Sequence, residues 1–544
     1  MTVKVFTVAQ MEAAEREADA EGVSYAQMME NAGRGVAEAI MERFDVAGMQ
    51  ILVLVGPGNN GGDGLVAGRY LAEAGAEVAF YLYRGRDTAE DENFARIEAM
   101  GLFHVNAKFD QRYRVLRLRL RATDMVVDAL LGTGVDRPIG GELAKLMRQV
   151  RAGLEEREAE RTAGGGRRTV EGQKLEIGRL ETGDWGLGKP MVVAVDAPSG
   201  LNCNTGALDM LAMAADLTVT FAGPKRGHFL FPGAAAVGEL VVVDIGIGPE
   251  LDAVRAVDVE LATASWARET MPARPMDGHK GTFGKVLVVA GSGGYWGAPV
   301  LCGRGAYRAG AGLVALAAPR AVRPVAAGLL PEATFPPAPD EEDWSAEGAR
   351  FIAGILRGYD ALLVGPGLGA GAEEFLAALL KMAESPPPLV VDADGLNALA
   401  RMEGGPAQLP QGSVLTPHPG EMGRLVGKDI VAQDRVALAR EWAARWGQVV
   451  LLKGAFTVAA APDGRCMIVP FANPLLGSAG SGDVLAGVIL SLLGQGLEGF
   501  EAAVLGAYLH GLAGELARAE MGDAGLLSGE LADWLPEARR QLAH

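Results

Sequence analysis

The chain has 544 residues, with 50 Lys and Arg against 68 Asp and Glu, for a formal net charge of −18. This length exceeds what one hydrophobic core supports and predicts two or three domains. The acidic balance excludes non-specific binding to nucleic acid or anionic membrane, while leaving room for local basic pockets around phosphorylated ligands. Cys203, Cys302 and Cys466 are far apart and form no CxxC pair, so a reducing compartment and no zinc cluster are expected. The amino terminus is too polar for a signal peptide and no apolar run reaches membrane-spanning length, so a soluble, cytoplasmic protein is expected.

In chain order, residues 7–43 read as helical, with Thr7 as cap and a second amphipathic run that starts near Ser24. A strand at 50–55 feeds GPGNNGGDG (56–64), with a helix expected from Leu65 to Ala74. Strand, glycine turn and helix make the phosphate-binding turn of a doubly wound α/β sheet. A strand at 77–83 and a helix near 90–100 follow. Strands at 124–128 and 191–195 end in Asp128-Ala129-Leu130-Leu131-Gly132-Thr133-Gly134 and Asp196-Ala197-Pro198-Ser199-Gly200. Further strands are expected at 217–221 and 239–244. Residues 151–189, rich in Glu and Arg of mixed sign with a Gly164-Gly165-Gly166 run, break the pattern. They read as a helix extension followed by a loosely packed excursion without chemistry.

After a linker near 250–258 the pattern restarts, giving expected domains 1–250 and 251–544. The second opens at GHKGTFG (278–284), with a strand from Lys285 running into Gly291-Ser292-Gly293-Gly294. Helix 299–309, strands at 312–318 and 360–364, GPGLG (365–369) and helix 372–383 follow. Strands at 389–392, 413–416 and 448–452 end in Asp392-Ala393-Asp394-Gly395-Leu396-Asn397, Thr416-Pro417-His418-Pro419-Gly420-Glu421 and Lys453-Gly454-Ala455. Apolar Val/Leu/Ile runs alternating with helices predict parallel sheets buried on both faces. The fold class is thus α/β in two domains, a Rossmann-like three-layer α/β/α domain followed by a second α/β domain.

Ligands bind beyond the carboxyl ends of strands in such sheets, and there the Gly, Asp, Asn and His clusters fall. GPGNNGGDG is not a dinucleotide fingerprint, and no acidic residue follows at ribose spacing. Asn60, Asp128 and Ser199 offer oxygen ligands to a hard cation, or brace turns. Asp196 can serve as acid or base, or cap its loop. In the second domain, Ala479-Gly480-Ser481-Gly482-Asp483 precedes a buried helix. Its glycines bare N–H groups at a helix N-terminus, an anion hole, and Asp483 is the candidate base for phosphoryl transfer to a hydroxyl. A lone Gly-x-Gly-Asp also serves as a plain cap. Lys453 to Thr457 and Gly482 are candidates to hold a nucleotide, and Gly369 and His418 to face the acceptor.

The motifs GPGNNGGDG, VDALLGTG and VDAPSG resemble those of NAD(P)HX epimerases. HKGTFGKVLVVAGS, GPGLG, DADGLN, TPHPGE, LLKG and AGSGDVLAG resemble those of ADP-dependent NAD(P)HX dehydratases, which are ribokinase-like. In this order they cover nearly the whole chain, except 151–189, and resemble the bifunctional NAD(P)H-hydrate repair family. The resemblance implies that the first domain interconverts R and S epimers of NADHX and NADPHX, hydrated cofactors that carry a hydroxyl at C6. It implies potassium ligands at Asn60, Asp128 and Ser199. Hydrate-binding positions would be Asn59, Asn60, Gly61, Gly62, Asp63, Gly132, Thr133, Gly134, Val135, Asp136, Arg137, Pro138 and Asp196, with Asp196 for proton transfer. The second domain would phosphorylate the S epimer with ADP and eliminate phosphate. Ala298, Gly369, His418 and Asp483 would contact the hydrate there, and Lys453, Gly454, Ala455, Phe456, Thr457 and Gly482 the nucleotide. Magnesium is expected from the phosphate chemistry, and a homo-oligomer is expected. A ribokinase-like vitamin or sugar kinase with a non-catalytic binding domain is the alternative.

Overall fold

The computed structural model describes residues 2–163, 190–336, 343–430 and 434–543. Two compact units emerge, Lys4–Val257 and Asp258–His544 with the first three residues. A two-residue strand, Val3–Lys4 (β1), begins the chain.

The first unit is built on seven parallel strands: Gln50–Val55 (β2), Glu77–Leu82 (β3), Phe103–Asn106 (β4), Met125–Ala129 (β5), Met191–Val195 (β6), Leu217–Phe221 (β7) and Glu239–Val243 (β8). Their order is β4-β3-β2-β5-β6-β7-β8, so the chain winds outward in both directions from β2 and β5. Ile51, Val53 and Val55 enter the core beneath helices Val8–Ala20, Tyr25–Met41 and Asn59–Glu73. Leu52 and Leu54 enter the opposite core, with Leu116, Leu120 and Leu146. This two-sided burial explains why the strands are apolar runs without alternation. Thr7 caps the first helix in a reciprocal box with Gln10. Edge strand β4 and helix Arg114–Ala122 were not expected: the strand is only four residues, Phe103-His104-Val105-Asn106, and the helix is rich in arginine.

One expectation changes in a way that matters for the site. The helix after β2 starts at Asn59, six residues before the expected Leu65. The glycines of GPGNNGGDG serve close packing more than loop freedom: a Cβ at Gly62 would lie 2.6 Å from Met29 Sδ, and one at Gly64 2.4 Å from the Ala129 Cβ. Residues 151–163 continue helix Gly141–Ala163; the rest of the expected excursion, 164–189, lies outside the described residues.

The second unit holds Val259–Leu261 (β9), Lys285–Val289 (β10), Leu313–Ala317 (β11), Ala361–Val364 (β12), Leu389–Val391 (β13), Val414–Leu415 (β14), Val449–Leu452 (β15), Val458–Ala460 (β16) and Cys466–Ile468 (β17). They run in the order β9-β17-β16-β15-β14-β13-β12-β10-β11. The run from β15 to β11 is parallel, whereas β16 pairs antiparallel with both β15 and β17. The hairpin β16–β17 and strand β9 were not expected, being three residues each. Register aligns Val289 with Val364, Val364 with Val391 and Leu415 with Val450. The loops at Gly291, Gly365, Asp392, Thr416 and Lys453 therefore leave the sheet along one edge. Helix Ser481–Gly494, buried from Val484 to Leu493, packs on helix Ala298–Arg308. A Cβ at Gly487 would lie 2.0 Å from the Cys302 carbonyl oxygen, and one at Gly305 2.3 Å from that of Val484. Glycine at both crossings lets the backbones touch. Among the described residues, no helix is long and apolar enough to cross a membrane.

Candidate active sites

In the first unit, the carboxyl ends of β2, β5, β6 and β7 meet. Asp128, on β5, is fully buried. The Ser199 hydroxyl donates to its Oδ1 at 2.7 Å and the Ser199 amide to its Oδ2 at 3.0 Å. Leu131 in turn donates its amide to Ser199 Oγ at 2.9 Å. Burial pushes the Asp128 pKa up, and the bonds from Ser199 and Leu130 only offset this. Asn60 closes the cluster: a Cβ at Gly132 would lie 3.2 Å from Asn60 Oδ1, and the buried Asn60 Nδ2 has no hydrogen-bond partner. The three expected cation ligands and the start of the 132–138 loop thus converge. Most of that loop, from Gly134 to Pro138, is exposed or half-buried. Arg86 steadies the glycine turn by donating to the carbonyls of Gly56 and Gly58 at 2.8 and 2.7 Å.

Asp196 follows β6 in a left-handed conformation, φ 63°. Its Oδ1 accepts from Thr220 Oγ1 at 2.9 Å and from Lys225 Nζ at 2.5 Å. The same ammonium reaches Thr220 Oγ1 at 2.8 Å, and Lys225 is 1% exposed. Burial opposes ionisation of Asp196, but Lys225 outweighs it and holds the carboxyl below its usual range. Asp63 is the opposite case. Burial, then the charges of Asp196 and Glu15, push its pKa well up. Asp63 lines a cavity of about 620 Å³ with Asn59, Glu15, Met29 and Phe221. Sequence reading passed over Lys225, Thr220 and Glu15. Lys225, directly after a buried strand and Gly-Pro, was the one legible signal.

In the second unit, Lys453 Nζ donates to the buried Asp392 Oδ1 at 2.7 Å. A Cβ at Gly482 would lie 3.2 Å from that ammonium and 3.8 Å from Asp392 Oδ2. Burial works against the lysine charge, while Asp392, Glu421 and Asp483 outweigh it and raise its pKa. Gly480, at φ 89°, opens helix Ser481–Gly494 and puts Asp483 in its first turn. Burial, then the Asp392 charge, pushes Asp483 up to about 7. Glu421 is likewise pushed up to about 7 by burial. His418 caps helix Pro419–Val426: its Nδ1 accepts from the Gly420 amide at 3.0 Å and its own amide donates to Glu421 Oε2 at 2.9 Å. With Nδ1 an acceptor, the neutral ring carries its proton on Nε2; burial and Lys453 lower its pKa.

The Gly369 amide donates to Asp394 Oδ2 at 2.9 Å. A Cβ at Gly369 would lie 3.0 Å from Ser292 Oγ, and one at Gly367 3.2 Å from the Ala298 Cβ. Gly369 and Ala298 therefore share one wall. The 454–457 segment is a tight turn, with Thr457 Oγ1 donating to the Gly454 carbonyl at 2.9 Å. Arg435 clamps it, donating to the carbonyls of Leu452, Lys453 and Ala455 at 2.9, 3.1 and 2.6 Å. The Lys453 side chain leaves this turn for Asp392 and Gly482. Asp392, Asp394 and Glu421 lay inside the quoted motifs without assigned roles; only the folded loops bring Asp392 and Glu421 beside Lys453, and Asp394 near enough to act on Asp483.

Comparison with known proteins gives matches over both units. Residues 25–227 match the family model described as YjeF-related protein N-terminus, and residues 286–537 the one described as NAD(P)H-hydrate dehydratase. The bifunctional NAD(P)H-hydrate repair enzyme Nnr of Moorella thermoacetica is 39% identical over 530 residues, covering 95% of this chain and 92% of that one. Its counterpart from Thermofilum pendens is 38% identical over 550 residues, covering 99% and 97%. Among solved structures, an ADP/ATP-dependent NAD(P)H-hydrate dehydratase from Bacillus subtilis, co-crystallised with ATP and Mg2+, is 34% identical at a TM-score of 0.45. It covers 52% of this chain and 98% of its own.

Proposed function

The chain belongs to the bifunctional NAD(P)H-hydrate repair family, and from that premise we propose how its two units divide the work. The first epimerises R- and S-NAD(P)HX, and the second dehydrates the S epimer to NAD(P)H with ADP as phosphoryl donor. The observation that carries the second assignment is the Lys453–Asp392 pair set against Gly482, with Asp483 one residue on at a helix N-terminus.

In the dehydratase, the first amides of helix Ser481–Gly494 have no intrahelical acceptors and face the donor phosphate. Lys453 offsets its charge. Asp483 accepts the proton of the C6 hydroxyl as the oxygen bonds to the β-phosphorus and AMP departs. A base with a pKa near 7 suits a neutral reaction. The C6–O bond then breaks with its electron pair going to phosphate, and a proton leaves C5, restoring the ring. Ala298, Gly369 and His418 hold the hydrate, and the 454–457 turn the nucleotide. Magnesium would enter with the nucleotide: among the described residues no group of three or more acidic, histidine or cysteine side chains forms a cage for it, so the phosphates would hold it, and when bound it would neutralise their charge.

In the epimerase, C6 is a hemiaminal carbon: the ring nitrogen helps expel the hydroxyl, and water returns on the other face. Asp196 moves the proton. Asn59 to Asp63 and Gly132 to Pro138 surround the hydrate. A potassium ion fits Asn60, Asp128 and Ser199, because among the described residues buried Asp128 has no cationic partner and the buried Asn60 amide nitrogen has no hydrogen-bond partner; when bound it would supply that charge. Assembly as a homo-oligomer belongs to the same reading. Full-length similarity to repair enzymes disfavours a vitamin or sugar kinase with a binding-only first unit. The test incubates the protein with mixed-epimer NADHX and either ADP or ATP and follows the near-ultraviolet absorbance of NADH. Complete recovery with ADP is expected. Recovery of only the S half removes the epimerase assignment, and no recovery with either nucleotide removes the dehydratase assignment.

A further inference from the structure

Two carboxyls of the first unit sit in unlike surroundings. Asp196 Oδ1 is tied to Thr220 and Lys225, while no hydrogen bond to its Oδ2 is found among the described residues. Lys225 is 1% exposed and also reaches the Phe221 carbonyl at 3.3 Å. A buried lysine is costly unless paired, and here Asp196 is its anionic partner. Phe221 lines the cavity that Asp63 also lines. The Asp63 carboxyl makes no hydrogen bond to protein among the described residues, so its polar edge is left to whatever enters.

We infer that Lys225 is a positioning residue that fixes Asp196 as the base of the epimerase, and that Asp63, facing the cavity, is its acid. This rests on the epimerase reading of the first unit. Asp63 gives its proton to the C6 hydroxyl. The C6–O bond breaks, the electron pair leaves with water, and the ring nitrogen lone pair forms the C6=N bond. A second water adds to the opposite face of C6, and its proton passes to Asp196. Solvent returns that proton to Asp63, so the cycle closes with no net change except the configuration at C6. Environments that drive two carboxyls apart assign acid and base in this way.

The charged and titratable groups around the pair are Lys225, His228 and the buried Cys203 thiol beside Asp196, and Glu15 and Arg86 beside Asp63; burial, then Asp196, pushes the thiol up to about 12, so it stays neutral. His228 is held neutral, its pKa lowered to about 3 by burial. Glu15, which also acts on Asp63, is the rival acid put to the test; Glu30, Glu90, Asp91 and Glu92 line the same cavity as well.

The experiment follows R-to-S conversion by the full-length protein, above the uncatalysed rate, across pH. Dehydration of purified S-hydrate, a reaction of the other unit, reports on folding. Asp63→Asn is expected to lose about a hundred- to ten-thousand-fold in epimerisation, and Glu15→Gln less than about tenfold. Lys225→Met removes the cation beside Asp196, so Asp196 ionises at higher pH and the acidic limb of the profile should move up by about one pH unit or more. Lys225→Arg, which keeps the charge, should restore the limb and so separates positioning from folding. If Lys225→Met does not fold, the limb of Lys225→Arg against the wild type decides: a shift beyond about half a pH unit overturns the inference. Full epimerisation by Asp63→Asn, or an unmoved limb in folded Lys225→Met, also overturns it. A wild type that never epimerises refutes instead the reading beneath it.

Discussion

Replacing Asp483 by asparagine should do two opposite things to the second unit. The carboxyl is pushed from 3.8 up to about 7, first by burial and then by Asp392. The folded unit thus favours the neutral form. The stability this contributes is full below the unfolded pKa of about 4 and is lost as pH rises through about 7. That rise corresponds to on the order of 4 kcal/mol; screening by solvent in an open cleft reduces this, so at least about 1 kcal/mol should remain. The substituted amide is neutral at every pH. The Asp483→Asn variant should therefore unfold above the wild type at pH near 8, by roughly 2–4 °C per kcal/mol, with the gap closing toward pH 4. Dehydration should fall about a hundred- to ten-thousand-fold in the same protein. Wild-type kcat/KM should rise about tenfold between pH 6 and 8, as one base ionises near 7. The assays are thermal unfolding, followed through the transition of this unit, and NADH recovery from S-hydrate. A variant no more stable than wild type at pH 8, a gap that ignores pH, or undiminished turnover would refute the reasoning.

Lys453→Met leaves buried Asp392 without its cation and should weaken ADP binding at least about tenfold by calorimetry, with a stability loss of about 3–5 kcal/mol. Asp128→Asn removes the charge, and its single carbonyl oxygen can accept only one of the two bonds from Ser199, so any potassium activation of epimerisation should vanish while dehydration persists; an unchanged potassium response would count against those ligands. Gly56→Ala would place a Cβ 1.9 Å from the Leu130 carbonyl oxygen. Overpacking there should cost the first unit about 1–3 kcal/mol, read as a lower unfolding temperature.

Apolar runs such as Ile51-Leu52-Val53-Leu54-Val55 and Val286-Leu287-Val288-Val289 determined by themselves that strands lie between two helical layers, because only a sheet buried on both faces tolerates side chains that are apolar without alternation. The same logic put the glycine, aspartate and asparagine clusters at strand ends, and family motifs assigned them roles. Short strands without that signature, Phe103–Asn106 and the hairpin at 458–468, stayed hidden. So did the true start of the helix at Asn59, where glycine signals close packing as readily as a turn. Tertiary structure alone decided the electrostatics. Asp63, in the helix after β2, and Asp196, after β6, are the same residue type. One becomes the harder acid to ionise and the other a fixed anion, because the buried Lys225 ammonium, 29 residues beyond Asp196 in sequence, lies 2.5 Å from its Oδ1. Likewise Asp483 stood in the sequence as a carboxylate at a helix start. Its pKa is pushed up to about 7 by burial that only the assembled sheet edge supplies, and then by Asp392, 91 residues earlier. Composition and spacing select elements because local burial and chain geometry suffice for that. Ionisation depends on dielectric and on charges a few ångströms away, which are set by how distant loops meet.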